Sequence, residues 1–395
     1  MRCDVVIIGA GAAGLSLAER LSAAPAGHGL SVRLIDAPAG PLRPRDRTWC
    51  FWEQGEGRYD DAVTASWNRM RVRGPRGHLV DASTGALRYK MIRSPDFEDV
   101  IGRRLAKYDA LVRMEGTVES IEAGPDGPRV LVRTADGRYE NCSARWVFDS
   151  RPLGSLPRAR TTLLQHFRGW FVRTDQAVFD PHSVELMDFR TPQPENGLAF
   201  TYVLPTSART ALVEYTQFSA SVLPADRYDS ALRAYLHDVL AVRDFRVDAR
   251  EEGVIPMTDA RFARQSGQGV FRIGAASGAT RPSTGYTFAA IQRQTAAICD
   301  ALLKGRTPVP PAPHSRRSMA MDAVVLHGLA RGRIDGAAFF TQLFSRVPAP
   351  RLLRFLDGDT TLYEDLSIGL NSPVLSLLRS AAELPALPLQ PHPAP

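Results

Sequence analysis

Residues 4–36 read DVVIIGAGAAGLSLAERLSAAPAGHGLSVRLID, and this stretch decides how the rest of the chain is read. Residues 4–8 form a short, mostly apolar run suited to a buried parallel strand. Six small residues, Gly9-Ala10-Gly11-Ala12-Ala13-Gly14, fit the pattern GxGxxG. Leu15, Leu17, Ala18 and Leu21 then recur at helical spacing. SVRLID (31–36) closes a β-α-β unit with an acid, Asp36, at its end. Glycines alone are a weak signal, but here they follow a strand, open a helix and precede an acid about 20 residues on. Gly9 permits the tight turn, Gly11 lets a pyrophosphate approach the backbone, and Gly14 lets helix and strand pack closely. The N–H groups of the first helical turn, at Ala12 and Ala13, point at the phosphates. Asp36 accepts from a ribose hydroxyl. A dinucleotide site is therefore expected.

Outward from this unit the chain has ordinary composition, 44% apolar and 23% charged over 395 residues, enough for two interleaved domains. The formal net charge is +7, carried almost wholly by arginine, and lysine occurs only at 90, 107 and 304. The arginines are scattered, so nucleic acid is not an expected partner. Cys3, Cys50, Cys142 and Cys299 lie far apart and show neither metal-ligand spacing nor a disulfide framework. No metal site and a reduced, cytoplasmic chain are expected. No apolar run reaches the length of a membrane span.

Between 111 and 149 short alternating segments separated by Gly and Pro turns read as a meander returning to the sheet at Asp149. Residues 160–220 hold long strand-like stretches, and DSALRAYLHDVL (229–240) reads as an amphipathic helix. GVFRIGAASG (269–278) is a second strand-to-glycine turn, and TFAAIQRQTAAICDALLKG (287–305) a helix with a glycine stop. After a proline-rich joint the remainder reads helical, with a frayed Pro-rich end.

This order, with a late glycine-bearing turn, resembles the flavoproteins of the glutathione-reductase and hydroxybenzoate-hydroxylase type. The resemblance implies a Rossmann-type α/β fold with FAD as the dinucleotide, its ring covered by the late turn. Gly274, Thr284, Gly285 and Tyr286 are candidates for that contact. Many flavin hydroxylases carry an aspartate after the strand glycine; here Gly274 is followed by Ala275. The expected division is an FAD-binding domain from 1–75, 95–155 and 260–308, a substrate-binding mixed β-sheet domain from 76–94 and 156–259, and a helical C-terminal region from 309–395.

A more specific resemblance follows from DRTWCFW (46–52), YKMIRSPDF (89–97), FDSRP (148–152), LLQHFRGWFV (163–172), MDFR (187–190), LVEYTQFS (212–219), EGVIPMTD (252–259), PSTGYTF (282–288) and FFTQLFSRVPAPRLLRFL (339–356). In order and nearly end to end, these are similar to the FAD-containing lycopene cyclases of the bacterial β-cyclase type. The resemblance implies protonation of a terminal alkene of lycopene, cyclisation through a carbocation, and loss of a ring proton to give a β-ionone ring. It implies reduced FAD, with NAD(P)H as a priming reductant and no net oxidation.

Such chemistry explains the residue types. A carbocation needs a dry cavity, an acid, and electron-rich faces that do not attack it; an aromatic ring supplies up to ~2 kcal/mol when desolvated. Trp49, Phe51, Trp52 and Phe288 are expected to line a tunnel beside the flavin, with ordinary core packing as the alternative for each ring. Asp46 and Arg47 are expected to hold the loop and cofactor. Glu214 stands among apolar strand residues; pattern alone places it on a solvated face, whereas the resemblance makes it the essential acid. Burial raises a carboxyl above its ordinary ~4.3 and keeps it protonated. Asp188 is the second candidate acid, or a plain ion-pair partner of Arg190. Arg93 and Asp149 are assigned to cofactor contact, each with a structural alternative.

The substrate class is lipophilic, so peripheral membrane contact is expected. Phe339, Phe340, Leu343 and Phe344, then Leu352, Leu353 and Leu356, form helical stripes suited to an interface or to a core. Competing readings are a flavin monooxygenase or dehydrogenase with true redox turnover, a non-catalytic carrier, and a cyclase of another polyprenyl chain.

Overall fold

The computed structural model describes residues 2–23, 29–40, 42–43 and 45–393. The opening stretch forms the strand Arg2–Ile8, the helix Ala12–Ser22 and the strand Val32–Asp36. Five parallel strands lie side by side in the order Leu111–Glu122, Val32–Asp36, Arg2–Ile8, Tyr139–Asp149 and Val270–Arg272. Arg129–Thr134 joins the far ends of two of them as the centre of the expected meander, antiparallel to both. Val5, Ile7, Leu15, Leu17 and Leu34 are buried between this sheet and its helices, as near-continuous apolar strands require. The late helix Phe288–Leu303 packs on the first, and Gly305 ends it at φ +64°. The fold is α/β, of the Rossmann-type flavoprotein class expected.

A second, seven-stranded sheet has the order Arg246–Thr258, Thr162–Arg173, Thr210–Ser219, Leu198–Ser207, Ser183–Asp188, Arg69–Arg73, Leu79–Ser83. Arg69–Arg73, expected with the dinucleotide part, pairs here with Ser183–Asp188. One face carries the largest apolar core and is covered by C-terminal helices; the other is covered by the helix Ala225–Ala234 and the π-helical turn Tyr235–Val239. A three-stranded sheet of Thr48–Gln54, Leu87–Arg93 and Ala65–Trp67 lies between the two halves.

Two C-terminal expectations change. Phe339, Phe340, Leu343 and Phe344 on helix Gly336–Arg346, and Leu352, Leu353 and Leu356 on helix Ala349–Asp357, are buried in the core of the second sheet. These stripes are core, not a membrane face. Gln390–Pro393, expected to fray, pairs as a short strand with Ser155–Ala159. The four cysteines are free, and no cluster of metal-ligating residues occurs among the described residues. No helix among the described residues is long and apolar enough to cross a membrane.

Candidate active site

At the start of the first helix the glycines act as the pattern requires. Gly9 has φ +91°, and a Cβ on Gly14 would stand 1.8 Å from the Gly9 carbonyl oxygen. A Cβ on Gly11 would meet nothing within 4 Å, so open space lies in front of a helix N-terminus that no side chain caps. Ala12 and Ala13 form its first turn. Asp36 accepts from the Ala10 N–H at 3.2 Å, with Arg113 at 3.4 Å and Arg43 at 3.7 Å from its other oxygen. Gly274, at φ +66°, lies so close to this helix that a Cβ would sit 2.9 Å from the Ala13 Cβ. Its N–H donates to Gln294. The late turn thus closes on the first helix through Gly274, leaving a cradle that fits a dinucleotide.

Asp149 ends the strand beside Ile8 and is gripped bidentately by Arg151, at 3.0 and 2.9 Å. Asp46 is exposed. The Arg47 N–H donates to Ser94 Oγ at 3.0 Å, and the Ser94 N–H returns to the Arg47 carbonyl, so this loop is pinned to the following helix.

The expected tunnel segment divides by strand alternation. Trp49 and Phe51 turn toward the dinucleotide half, where they stack on Phe288 at 5.8 and 4.6 Å. Those three rings form core with Phe97 and Tyr59. Cys50 and Trp52 turn the other way. Trp52 lies against Tyr286 and Tyr89, and Tyr286 shares a 3.1 Å hydroxyl contact with Tyr89. The Tyr286 side chain, on the turn whose backbone is the expected cofactor contact, thus stands among these aromatic rings. In the same turn Thr284 accepts weakly from the Tyr286 N–H at 3.5 Å. Gly285, at φ +74°, brings the backbone so near Gln165 that a Cβ would lie 2.2 Å from Gln165 Oε1, a buried oxygen without a hydrogen-bond partner among the described residues.

Glu214 lies near these rings, on the inner face of the second sheet, 9% exposed. Tyr202 is its neighbour on one side and Gly169 on the other. Gly169 in turn is opposite Glu251, 8% exposed. A glycine between two glutamates on adjacent strands leaves a gap, and the carboxyl groups meet across it in hydrogen-bonding contact. A Cβ on Gly169 would reach the Glu251 Cγ at 3.2 Å and the Glu214 Cβ at 3.4 Å. Thr216 donates to Glu214 at 2.9 Å, and Thr48 donates to Glu251 at 2.6 Å. Burial, then the Glu251 charge, pushes the Glu214 carboxyl well above the usual range. Burial also raises Glu251, opposed by the Thr48 and Glu214 hydrogen bonds and by the charge of Arg93. Arg93, assigned from sequence to the cofactor, lies over the Phe171 ring at 4.4 Å and acts on Glu251.

The structure does not bring Asp188 to Glu214. Strand register puts Asp188 opposite Thr201, which faces the other side of the sheet from Tyr202 and Glu214. It is fully buried, accepting from Arg190 Nε at 2.9 Å and from the Tyr235 hydroxyl at 2.7 Å. The carboxyl group that neighbours Glu214 is that of Glu251, which the sequence does not single out. REEG (250–253) looks like polar surface, and only alternation, with Glu252 outward and exposed, separates the two glutamates.

A Rossmann cradle closed by a late glycine turn, with a second sheet packed against it, places the chain in the FAD-dependent flavoprotein fold class. Solved structures of that fold span the chain. A geranylgeranyl bacteriochlorophyll reductase-like protein from Thermoplasma acidophilum gives a TM-score of 0.62 at 12% identity, over 97% of this chain and 99% of that one. A flavoprotein/dehydrogenase from Cytophaga hutchinsonii gives 0.63 at 12% identity, over 97% and 99%. The flavin-dependent monooxygenase PieE, solved with FAD and substrate, gives 0.61 at 15% identity, over 97% and 72%. The chain belongs to the lycopene cyclase protein family, whose model matches residues 4–382. It is 28% identical over 354 residues to the lycopene beta-cyclase of a Paracoccus species, covering 82% of each chain. It is 29% identical to that of Pseudescherichia vulneris over 62% of this chain and 65% of the relative's length.

Proposed function

We propose that the protein is a lycopene β-cyclase, converting the linear ψ-ends of lycopene to β-ionone rings, giving γ-carotene and β-carotene without net oxidation. The observation that carries this reading is Glu214: a carboxyl group kept neutral by burial, in an aromatic pocket, beside a dinucleotide cradle. A neutral carboxyl can protonate an alkene, which a carboxylate cannot. Trp52, Tyr89, Tyr202 and Tyr286 present ring faces to the cation that follows. Tyr89, Tyr202 and Tyr286 are held above their ordinary phenol range chiefly by burial, so all three stay neutral and unreactive toward that cation.

Gly9, Gly11, Gly14, Ala12, Ala13 and Asp36 would hold the phosphates and ribose of FAD, and Gly285 would let its ring approach Gln165. When reduced, that group supplies negative charge near the cation. NAD(P)H is the proposed reductant. The proposed setting is the cytoplasmic side of a membrane, from which the polyene is collected. The face proposed for that contact spans the helices Leu362–Gly369 and Val374–Glu383 and the link between them, where Leu362, Leu366, Leu370, Leu375 and Leu378 are 57–85% exposed.

The test is expression in a lycopene-accumulating host with pigment analysis. Wild-type protein is expected to produce β-ring carotenoids, and Glu214→Gln none, while retaining its flavin. Unchanged lycopene with the wild-type protein rejects the reading.

A further inference from the structure

The isomerisation needs a base as well as an acid, because each ring formed returns one proton. We propose that Glu214 and Glu251 act as one acid–base pair joined across Gly169, Glu214 delivering the first proton and Glu251 receiving the last. This rests on the cyclase reading of the same site.

The geometry is specific. The two strands carrying these glutamates are not neighbours; Thr162–Arg173 runs between them. Their carboxyl groups meet because the intervening residue has no side chain. The surroundings then divide the roles. Glu251 receives the Thr48 hydroxyl and feels the positive charge of Arg93, so it is the member that carries the negative charge. Glu214 receives the Thr216 hydroxyl and lies between Gly169 and Tyr202, with no cation among the described residues acting on it, so it keeps the shared proton. The other titratable groups facing the pair are Cys50, Tyr202 and Tyr286 toward Glu214, and Asp46 with Arg93 toward Glu251. Burial holds Cys50, Tyr202 and Tyr286 neutral. Among these buried groups the proton is therefore exchanged by the two glutamates themselves.

The steps balance. The Glu214 O–H bond breaks as a C–H bond forms on the terminal alkene, leaving a tertiary cation. The neighbouring double bond closes the ring. A ring C–H bond then breaks, its electron pair forming the new double bond and its proton passing to the Glu251 carboxylate. A shift along the Glu251–Glu214 hydrogen bond restores the starting state. No electron leaves the substrate and no co-reactant is needed.

The experiment compares wild type, Glu251→Gln, Glu251→Asp and Thr48→Val by kcat against pH, flavin content and infrared spectroscopy. The wild-type profile is expected to be a bell: activity falls at low pH as Glu251 is protonated, and at high pH as Glu214 is lost as a donor. Glu251→Gln is expected to lower kcat on the order of 10²–10⁴-fold with normal flavin content, and to remove the acid limb. Glu251→Asp should restore part of the rate. Thr48→Val, which removes a donor to the carboxylate, should move the acid limb to higher pH. Without substrate, the C=O stretch of a buried protonated carboxyl should vanish in Glu214→Gln and shift in Glu251→Gln. Wild-type kcat and an unmoved acid limb in both Glu251→Gln and Thr48→Val overturn the proposal. Absence of cyclisation by the wild-type protein overturns the cyclase reading instead, and the infrared comparison then decides separately whether the proton is shared.

Discussion

The Tyr286 ring meets the Trp52 ring edge-on with centroids 4.7 Å apart, so the late turn and the aromatic strand meet on the side of the second sheet where Glu214 is buried. Trp49 and Phe51, on the same strand, are anchored elsewhere. The two faces should respond differently to substitution. Trp52→Leu is expected to slow cyclisation up to about 30-fold through loss of a cation-stabilising face of ~2 kcal/mol, with Trp52→Phe milder. Trp49→Leu and Phe51→Leu should instead lower stability by roughly 1–3 kcal/mol, leaving the rate per flavin-loaded molecule unchanged. Single-turnover rates and denaturation curves separate the two effects.

Two glycines separated by a single turn of helix make opposite predictions. Gly11→Ala puts a methyl into open space, so the protein should fold normally yet bind FAD at least tenfold more weakly, because phosphate needs that space. Gly14→Ala drives a Cβ into the Gly9 carbonyl oxygen and should yield little soluble protein. Flavin absorbance per mole of soluble chain reads both.

Asp188→Asn leaves Arg190 without its counter-charge and weakens the acceptor for Tyr235. The expected loss is about 2–3 kcal/mol of stability, less than for a fully buried pair because Arg190 reaches solvent. Urea titration measures it. Activity of the folded variant should persist, since Asp188 faces away from Glu214.

His166 is fully buried, between Ser219 Oγ at 2.7 Å and the Tyr228 hydroxyl at 2.6 Å. Burial pushes it down from 6.5 to about 4. A folded-state value below the unfolded one means the unfolded chain takes up the proton first as pH falls. Stability should therefore decline from about pH 6.5 to pH 4, by at most about 3 kcal/mol from this group. Burial lowers His314 to about 4 as well, so it adds to the same window. His166→Gln should flatten the pH dependence of the urea midpoint; an unchanged slope would exclude His166 as its source.

Leu366→Glu with Leu375→Glu should fold like wild type, because both positions are exposed, and should float less well with anionic lipid vesicles. Substituting Phe340 or Leu352 should instead impair folding, since both are buried.

Much of this was legible in the order of residues. Local rules sufficed for the cradle: Gly9, Gly14 and Asp36 lie within one β-α-β unit, and their spacing carries the geometry. Only the resemblance singles out Glu214, because an acid in a strand looks the same whether it faces water or core. Glu251 was not legible, since its meaning depends on Gly169 and Glu214, each far away in sequence and joined to it only by strand register. The stripe of Phe339, Phe340 and Leu343 suits an interface or a core equally well in sequence, and the structure decides for the core: the most apolar helix faces are those the fold needs for itself. The exposed leucines of 362–378 lie on two short helices whose outward face the sequence alone does not single out.

The strand Thr48–Gln54 serves both halves of the molecule with alternate side chains. Inserting or deleting a single residue there would exchange its two sides, sending Trp52 and Cys50 toward the dinucleotide half and Trp49 and Phe51 toward the core of the second sheet. Homologues can then vary what stands at these positions, while the length of the segment is not free to drift.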